Sequence, residues 1–201
     1  MAYQAAFFDL GGVVVEFDAD RIVHQVAQLV GRPFDDVQRA VYDPGLLLPF
    51  ELGQIAPEAY YEGLRARLNL TWTYARFVLA WNDIFVENRD VTRILERLRA
   101  THRLIALTNT NVLHFEHLRS TVPSLALFHG YVASCALGVR KPMPEMYQAA
   151  LAHAGVPAEA ALYVDDRPEM VEAGRKAGLT AIRFLNSRQL EQDLRAAGVD
   201  V

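Results

Sequence analysis

The chain is poor in cysteine. Cys135 stands alone among 201 residues, so no intrachain disulfide framework can staple the fold. That usage suits a reducing compartment, and we expect a cytoplasmic protein. Lysine and arginine form no block, and 20 basic against 24 acidic side chains leave a formal net charge of −4. This is the wrong balance for a nucleic-acid binder or for a protein that sits on an anionic membrane. No uninterrupted apolar stretch approaches the ~18 residues that a spanning helix requires. The opening Met1-Ala2-Tyr3-Gln4 has neither the basic region nor the apolar run of a secretory signal. Internal repeats and low-complexity tracts are also missing. These absences, with 52% hydrophobic residues, leave a soluble globular protein. It is long enough to bury a sizeable core as one domain, or as one domain carrying an insertion.

A recurring unit fills that frame. Ala5-Ala6-Phe7-Phe8 is a short apolar run that stops at Asp9 before Gly11-Gly12, the pattern of a buried strand ending in a loop. Similar runs occur at 102–107, ending at Thr108-Asn109; at 130–134; at 161–164, ending at Asp165-Asp166; and at 180–184. Helical patterns alternate with them. Val91, Ile94, Leu95 and Leu98 share one face, while Pro144 and Pro168 suit the first turns of two further helices that end near Gly155 and Gly178. This alternation predicts an α/β fold with a Rossmann-like parallel sheet and helices on both of its faces. Ligands of such sheets bind beyond the carboxyl ends of the strands, where Asp9, Thr108, Asp165 and Asp166 all fall.

The alternation breaks between 18 and 88. Helical patterns run from Asp20 through Leu29, from Pro57 to Leu68 and from Thr71 to Trp81, with Pro44-Gly45 and Pro49 read as turns between them. About 70 residues are too many for a crossover loop. The expected organisation is an α/β core of 1–17 and 89–201, with an inserted all-helical cap at 18–88.

The strand-end residues form a chemical set. A carboxylate before Gly-Gly can be a nucleophile or a metal ligand, and the Asp165-Asp166 pair adds anionic oxygens for a hard cation such as Mg²⁺. Thr108 and Asn109 can donate hydrogen bonds to a phosphoryl oxygen. Lys141, in Val139-Arg140-Lys141-Pro142, can neutralise developing charge. Together they describe carboxylate attack on phosphorus.

These segments resemble the four motifs of the haloacid dehalogenase superfamily, in order: Phe7-Phe8-Asp9-Leu10-Gly11-Gly12-Val13, Leu107-Thr108-Asn109-Thr110-Asn111, Arg140-Lys141-Pro142 and Val164-Asp165-Asp166-Arg167-Pro168. Asp9 and Thr108 are 99 positions apart, Thr108 and Lys141 33, and Lys141 and Asp165 24. The long first gap leaves room for a helical C1-type cap. The resemblance implies an aspartyl-phosphate at Asp9, phosphoryl binding by Thr108, Asn109 and Lys141, and Mg²⁺ held by Asp9, the Gly11 carbonyl and Asp166. Asp165 would be a further ligand or a supporting partner. The wording around these motifs, with His114 following, is most similar to bacterial alpha-D-glucose-1-phosphate phosphatase-like members. The implied activity is Mg²⁺-dependent hydrolysis of a small phosphorylated metabolite, such as a sugar phosphate, by a monomer or homodimer.

The chain departs from the family at one position. Phosphatases of this kind carry a second Asp two residues after the nucleophile, and Gly11 stands there instead. That Asp protonates the leaving group, and such help is worth about 10²–10⁴-fold. A substitute is therefore sought in Glu16, Asp18 or water. Two other activities are compatible with Gly11: a 2-haloacid dehalogenase-like hydrolase, in which Asp9 attacks carbon without a metal, or a catalytically impaired phosphate-binding member. His114 and His117 lie one helical turn apart, but no Cys or third His completes a zinc site. His114 is expected to contact substrate. Tyr60, Tyr61, Trp72, Tyr74, Phe77 and Trp81 are expected to build the cap interior, and Cys135 to be a small packing residue.

Overall fold

Ala5–Phe8 has no polar side chain, and all four residues are fully buried. A strand of that composition can only be covered on both faces. In a computed structural model that describes residues 3–201, this strand, β1, is the centre of a five-stranded sheet in the order β5-β4-β1-β6-β7. Its companions are β4 (Arg103–Thr108), β5 (Gly130–Ala133), β6 (Ala161–Asp165) and β7 (Thr180–Arg183), and every pairing is parallel. The register aligns Phe8 with Ala106 on one side and with Val164 on the other. One step further, the Asp9 amide donates to the Val164 carbonyl at 2.9 Å. Parallel register therefore sets Asp9 beside Asp165 without any help from their side chains.

The two-residue period of the strands divides the core. Ala6, Phe8, Leu104 and Ala106 face helices α6 (Arg89–Arg99), α7 (Val112–Thr121) and α11 (Ser187–Ala196). Ala5, Phe7, Ile105 and Leu107 face α9 (Pro144–Ala154) and α10 (Pro168–Lys176). A short α8 (Ser134–Leu137) follows β5 directly.

Five helices lie between the first and second sheet strands: α1 (Asp20–Val30), α2 (Phe34–Val41), α3 (Pro44–Glu51), α4 (Pro57–Leu68) and α5 (Tyr74–Asn82). They bury a separate apolar cluster in which Phe50 stacks on Tyr60 at 4.5 Å and Phe77 stacks on Trp81 at 5.5 Å. Both chain crossings into this layer pass through an antiparallel pair, β2 (Val15–Phe17) with β3 (Phe85–Glu87).

One local expectation is corrected. Pro44-Gly45 and Pro49 are not turns between helices. Asp43 caps α3 by accepting from the Gly45 amide at 2.7 Å, Pro44 occupies the first turn and Pro49 lies inside the helix. At N1 the missing N–H of Pro44 has no helical partner to lose, and within eight residues Pro49 removes a single ladder bond. The cap of α7 is Asn111, whose Oδ1 accepts from the His114 amide at 3.0 Å.

Candidate active site

Lys141 is 1% exposed and carries its ammonium into the sheet edge, 2.9 Å from Asp9 Oδ2 and 2.7 Å from Asp165 Oδ2. A lysine that deeply buried is tolerable only when its charge is met by hydrogen-bonded anions. The cis peptide Lys141-Pro142 follows it, and Asn109 grips the same residue. Asn109 Nδ2 donates to the Lys141 carbonyl at 3.0 Å, and Asn109 Oδ1 accepts from the Lys141 amide at 2.8 Å. Asn109 is therefore a clamp on the Lys141 backbone, and not a freely presented amide.

Asp165 is wholly buried and fully engaged. Its Oδ2 accepts from Lys141 and from the Tyr163 hydroxyl, and its Oδ1 accepts from the Arg167 amide at 2.9 Å. Burial, and then the Asp165 charge, push the Tyr163 phenol upward, so it remains a neutral donor. Tyr163 and Asp165 lie two residues apart on β6, hence on the same face. That two-residue period is the sequence signal for Tyr163, which lies outside the four motifs.

Asp9 is buried, and its Oδ1 accepts from the Leu10 amide at 2.7 Å. Burial lifts its pKa to about 6, with the Lys141 charge pulling down and the Asp165 charge pushing up. Asp166 is raised as well, by burial and then by Asp165. Asp9, Asp165 and Asp166 can each offer an oxygen to a common point, with these atoms within 4.8 Å of one another. Asp166 Oδ1 is buried and has no hydrogen-bond partner, the condition expected of a carboxylate that a cation satisfies. The donor set is all oxygen, which fits Mg²⁺. The backbone makes room: Gly12 has φ +81°, and a Cβ there would come within 2.6 Å of Asp166 Oδ2.

Two adjoining cavities open at this edge. One is lined by Asp9, Gly11, Asn109, Lys141 and Asp166, among others. The second lies against the helical layer, with apolar walls from Leu10, Ile22, Leu47, Trp81 and Phe85 and polar groups from Thr108, Asn109, His114 and Glu51. Gly11, Phe17 and Asn109 belong to both. Thr108 lines the second cavity only, next to Asn109 at the junction. Tyr60 and Phe77 are buried in the helical cluster with Tyr61, and Trp81 serves both that cluster and the cavity wall.

His114 reaches the second cavity, but its ring nitrogens already have partners. Nε2 is 3.0 Å from the Trp81 carbonyl and Nδ1 is 3.0 Å from Asn111 Nδ2, so the first donates and the second accepts. Its ring stacks on Trp81 at 4.9 Å. Burial depresses its pKa to about 4, opposed by the Trp81 bond. His114 therefore offers the cavity a neutral ring face, not a charge. Neither cavity is lined by Glu16 or Asp18, both exposed. Glu51, which carries no motif, lines the cavity shared with Gly11. Only the docking of α3 reveals it.

Known proteins share this architecture. The chain is 27% identical over 96% of its length to a sesquiterpene phosphatase of Aspergillus oryzae, spanning 95% of that protein. It is 25% identical over 93% of its length to a D-ribitol-5-phosphate phosphatase of Bacteroides thetaiotaomicron, spanning 94% of it. A HAD family enzyme from Bacteroides thetaiotaomicron superposes with a TM-score of 0.86 at 21% identity, covering 97% of this chain and all of that one. The same enzyme in complex with magnesium and inorganic phosphate superposes at 0.81 and 21% identity, covering 90% and 94% of the two chains. The sequence model for haloacid dehalogenase-like hydrolases matches residues 3–178, and the chain belongs to that family.

Proposed function

We propose that this hydrolase is a Mg²⁺-dependent phosphomonoesterase that acts on a small phosphorylated metabolite through an aspartyl-phosphate at Asp9. The observation that carries this reading is the bonding pattern at the sheet edge. Lys141 joins Asp9 to Asp165, while Asp166 keeps one buried oxygen without a partner. Asp9 attacks phosphorus from the end of β1, and Lys141 holds the nucleophile and offsets charge on the transferring group. Thr108 binds the phosphoryl group from the end of β4. Asp165 and Tyr163 position Lys141. Asp9, Asp166 and the Gly11 carbonyl would hold Mg²⁺, which would supply charge neutralisation for the transferring group. The helical layer from 18 to 88 acts as the cap that covers the leaving group.

Gly11 favours the two other activities, since a carbon-attacking dehalogenase or a binding-only member needs no acid at that position. The unpartnered Asp166 oxygen speaks against the dehalogenase, which gives it no cation, and the intact Asp9–Lys141 pair speaks against a binding-only member. The relatives named above are a sesquiterpene phosphatase and a D-ribitol-5-phosphate phosphatase, so the leaving group differs among them. A screen of sugar phosphates, nucleotides and acyl phosphates, with and without Mg²⁺ and with Asp9→Asn as the blank, tests the proposal. Chelator-sensitive phosphate release that vanishes in the blank supports it. Chelator-resistant halide release from a 2-haloacid would replace it.

A further inference from the structure

Gly11 leaves the leaving group without the usual acid, yet a carboxyl group stands at the wall of the same cavity. Glu51 is the last residue of α3, and among the described residues it is the one carboxylate lining the cavity that holds Gly11, Thr108 and Asn109. Its place is fixed from two sides. The Ser134 hydroxyl accepts from the Thr110 amide at 2.9 Å and lies 2.8 Å from the Glu51 carbonyl, which ties the end of α3 to the loop after β4. Arg140 Nη1 donates to Glu51 Oε2 at 2.9 Å, immediately beside Lys141. Backbone contact is close as well, since a Cβ on Gly53 would lie 2.1 Å from the Cys135 carbonyl. Glu51 is thus held between the loop after β4 and the loop that carries Lys141, and its cavity joins that of Asp9 at Gly11, Phe17 and Asn109.

We propose that Glu51 is the proton donor to the leaving oxygen, taking the part that an Asp at position 11 would otherwise play. This rests on the phosphomonoesterase reading. As Asp9 forms its bond to phosphorus and the ester P–O bond breaks, the Glu51 proton passes to the departing oxygen, which leaves as an alcohol. Glu51 is then a carboxylate, stabilised by Arg140. In the second step it takes a proton from the water that attacks the aspartyl-phosphate, so phosphate is released and both Asp9 and Glu51 return to their starting states. The charged and titratable groups around Glu51 are Arg140 in direct contact, Arg167 nearby, Tyr60 on α4, and Tyr42 and His114 in the cavity wall. Burial raises the Glu51 carboxyl in spite of both arginines, which favours the proton-bearing form.

The test compares kcat/KM for butyl phosphate, whose alkoxide needs a proton, with that for p-nitrophenyl phosphate, whose phenolate does not. This parameter reports phosphoryl transfer to Asp9 and leaves out the later hydrolysis. Glu51→Gln keeps an oxygen for Arg140. It is expected to lose about 10²-fold or more on butyl phosphate and less than five-fold on p-nitrophenyl phosphate. Glu51→Asp, which restores a carboxyl, is expected to recover at least ten-fold on butyl phosphate alone, and this holds as a readout if Gln lowers the melting temperature. Equal losses on both substrates, or no loss on butyl phosphate, would overturn the proposal. Failure of the underlying reading looks different, because wild type and Asp9→Asn would then be alike on both substrates.

Discussion

Asn109 and Lys141 are joined by two reciprocal hydrogen bonds, side chain to backbone, at 3.0 and 2.8 Å. The clamp sets where the lysine side chain begins, and the carboxylates of Asp9 and Asp165 set where it ends. Asn109→Ala is expected to lower activity about 100-fold and to cost about 1–3 kcal/mol, because buried backbone groups lose their partners. Asn109→Asp is expected to rescue neither property, since a carboxylate accepts from the Lys141 amide but repels its carbonyl. Phosphatase assays with urea denaturation check both outcomes. Full activity in Asn109→Ala would show that Lys141 needs no such clamp.

Gly12 leaves room for Asp166. Gly12→Ala meets the Asp166 carboxylate at 2.6 Å and must also adopt φ +81°. A stability loss of about 1–2 kcal/mol is expected from the backbone alone. If Asp166 is the principal acidic ligand, the variant also binds Mg²⁺ at least ten-fold more weakly by calorimetric titration. Unchanged Mg²⁺ affinity would remove Asp166 from the ligand set.

Gly53 reports how tightly the helical layer sits on the sheet edge. An added methyl would fall 2.1 Å from the Cys135 carbonyl, whereas at Gly31, with a similar φ of +65°, it meets nothing within 4 Å. Gly31→Ala is expected to cost about 1 kcal/mol, the strain of a left-handed backbone. Gly53→Ala should cost about 2–3 kcal/mol by overpacking, and should make α3 more sensitive to limited proteolysis. Equal melting temperatures for the two variants would mean that this contact opens freely in solution.

The depressed pKa of His114 makes stability depend on pH. Its folded value of about 4 lies below the ordinary 6.5, so between those limits the unfolded chain binds more protons and stability falls as pH is lowered. The largest possible contribution is about 3 kcal/mol, less for a ring that keeps some solvent contact. His102, His117 and His129 are shifted in the same direction. The raised carboxyls of Asp9, Glu51 and Asp166 act with the opposite sign, so His114→Gln should lower the rise of urea midpoint between pH 4 and 6.5 by the His114 share alone. An unchanged slope would mean that His114 is solvated in the folded state.

Much of this arrangement was legible from local pattern. Four apolar residues ending at Asp9 could only be a central strand, and parallel strands necessarily carry Asp9, Thr108 and Asp165 to one edge. Tertiary pairings were not legible in that way. Val15–Phe17 is three residues long and finds its partner about 70 positions later, so no local periodicity announces it. Pro49 reads as a helix breaker until Asp43 and Pro44 are seen to start the helix around it. Asn109 has the composition of a phosphate ligand, and only the approach of the Lys141 loop turns it into a clamp. Glu51 lies in no motif, because its place comes from packing between α3 and α8.

Lys141 is one of two lysines in the chain; the other, Lys176, has a side chain that is 76% exposed. The folded protein therefore shows an amine-modifying reagent one reactive side chain, while the second lies shielded between carboxylates. Under mild reductive methylation, mass spectrometry of the 169–178 region should reach full modification long before the peptide that contains Lys141. The rate at which Lys141 becomes labelled is then a clock for opening of the sheet edge, built into the natural sequence and readable without an added probe.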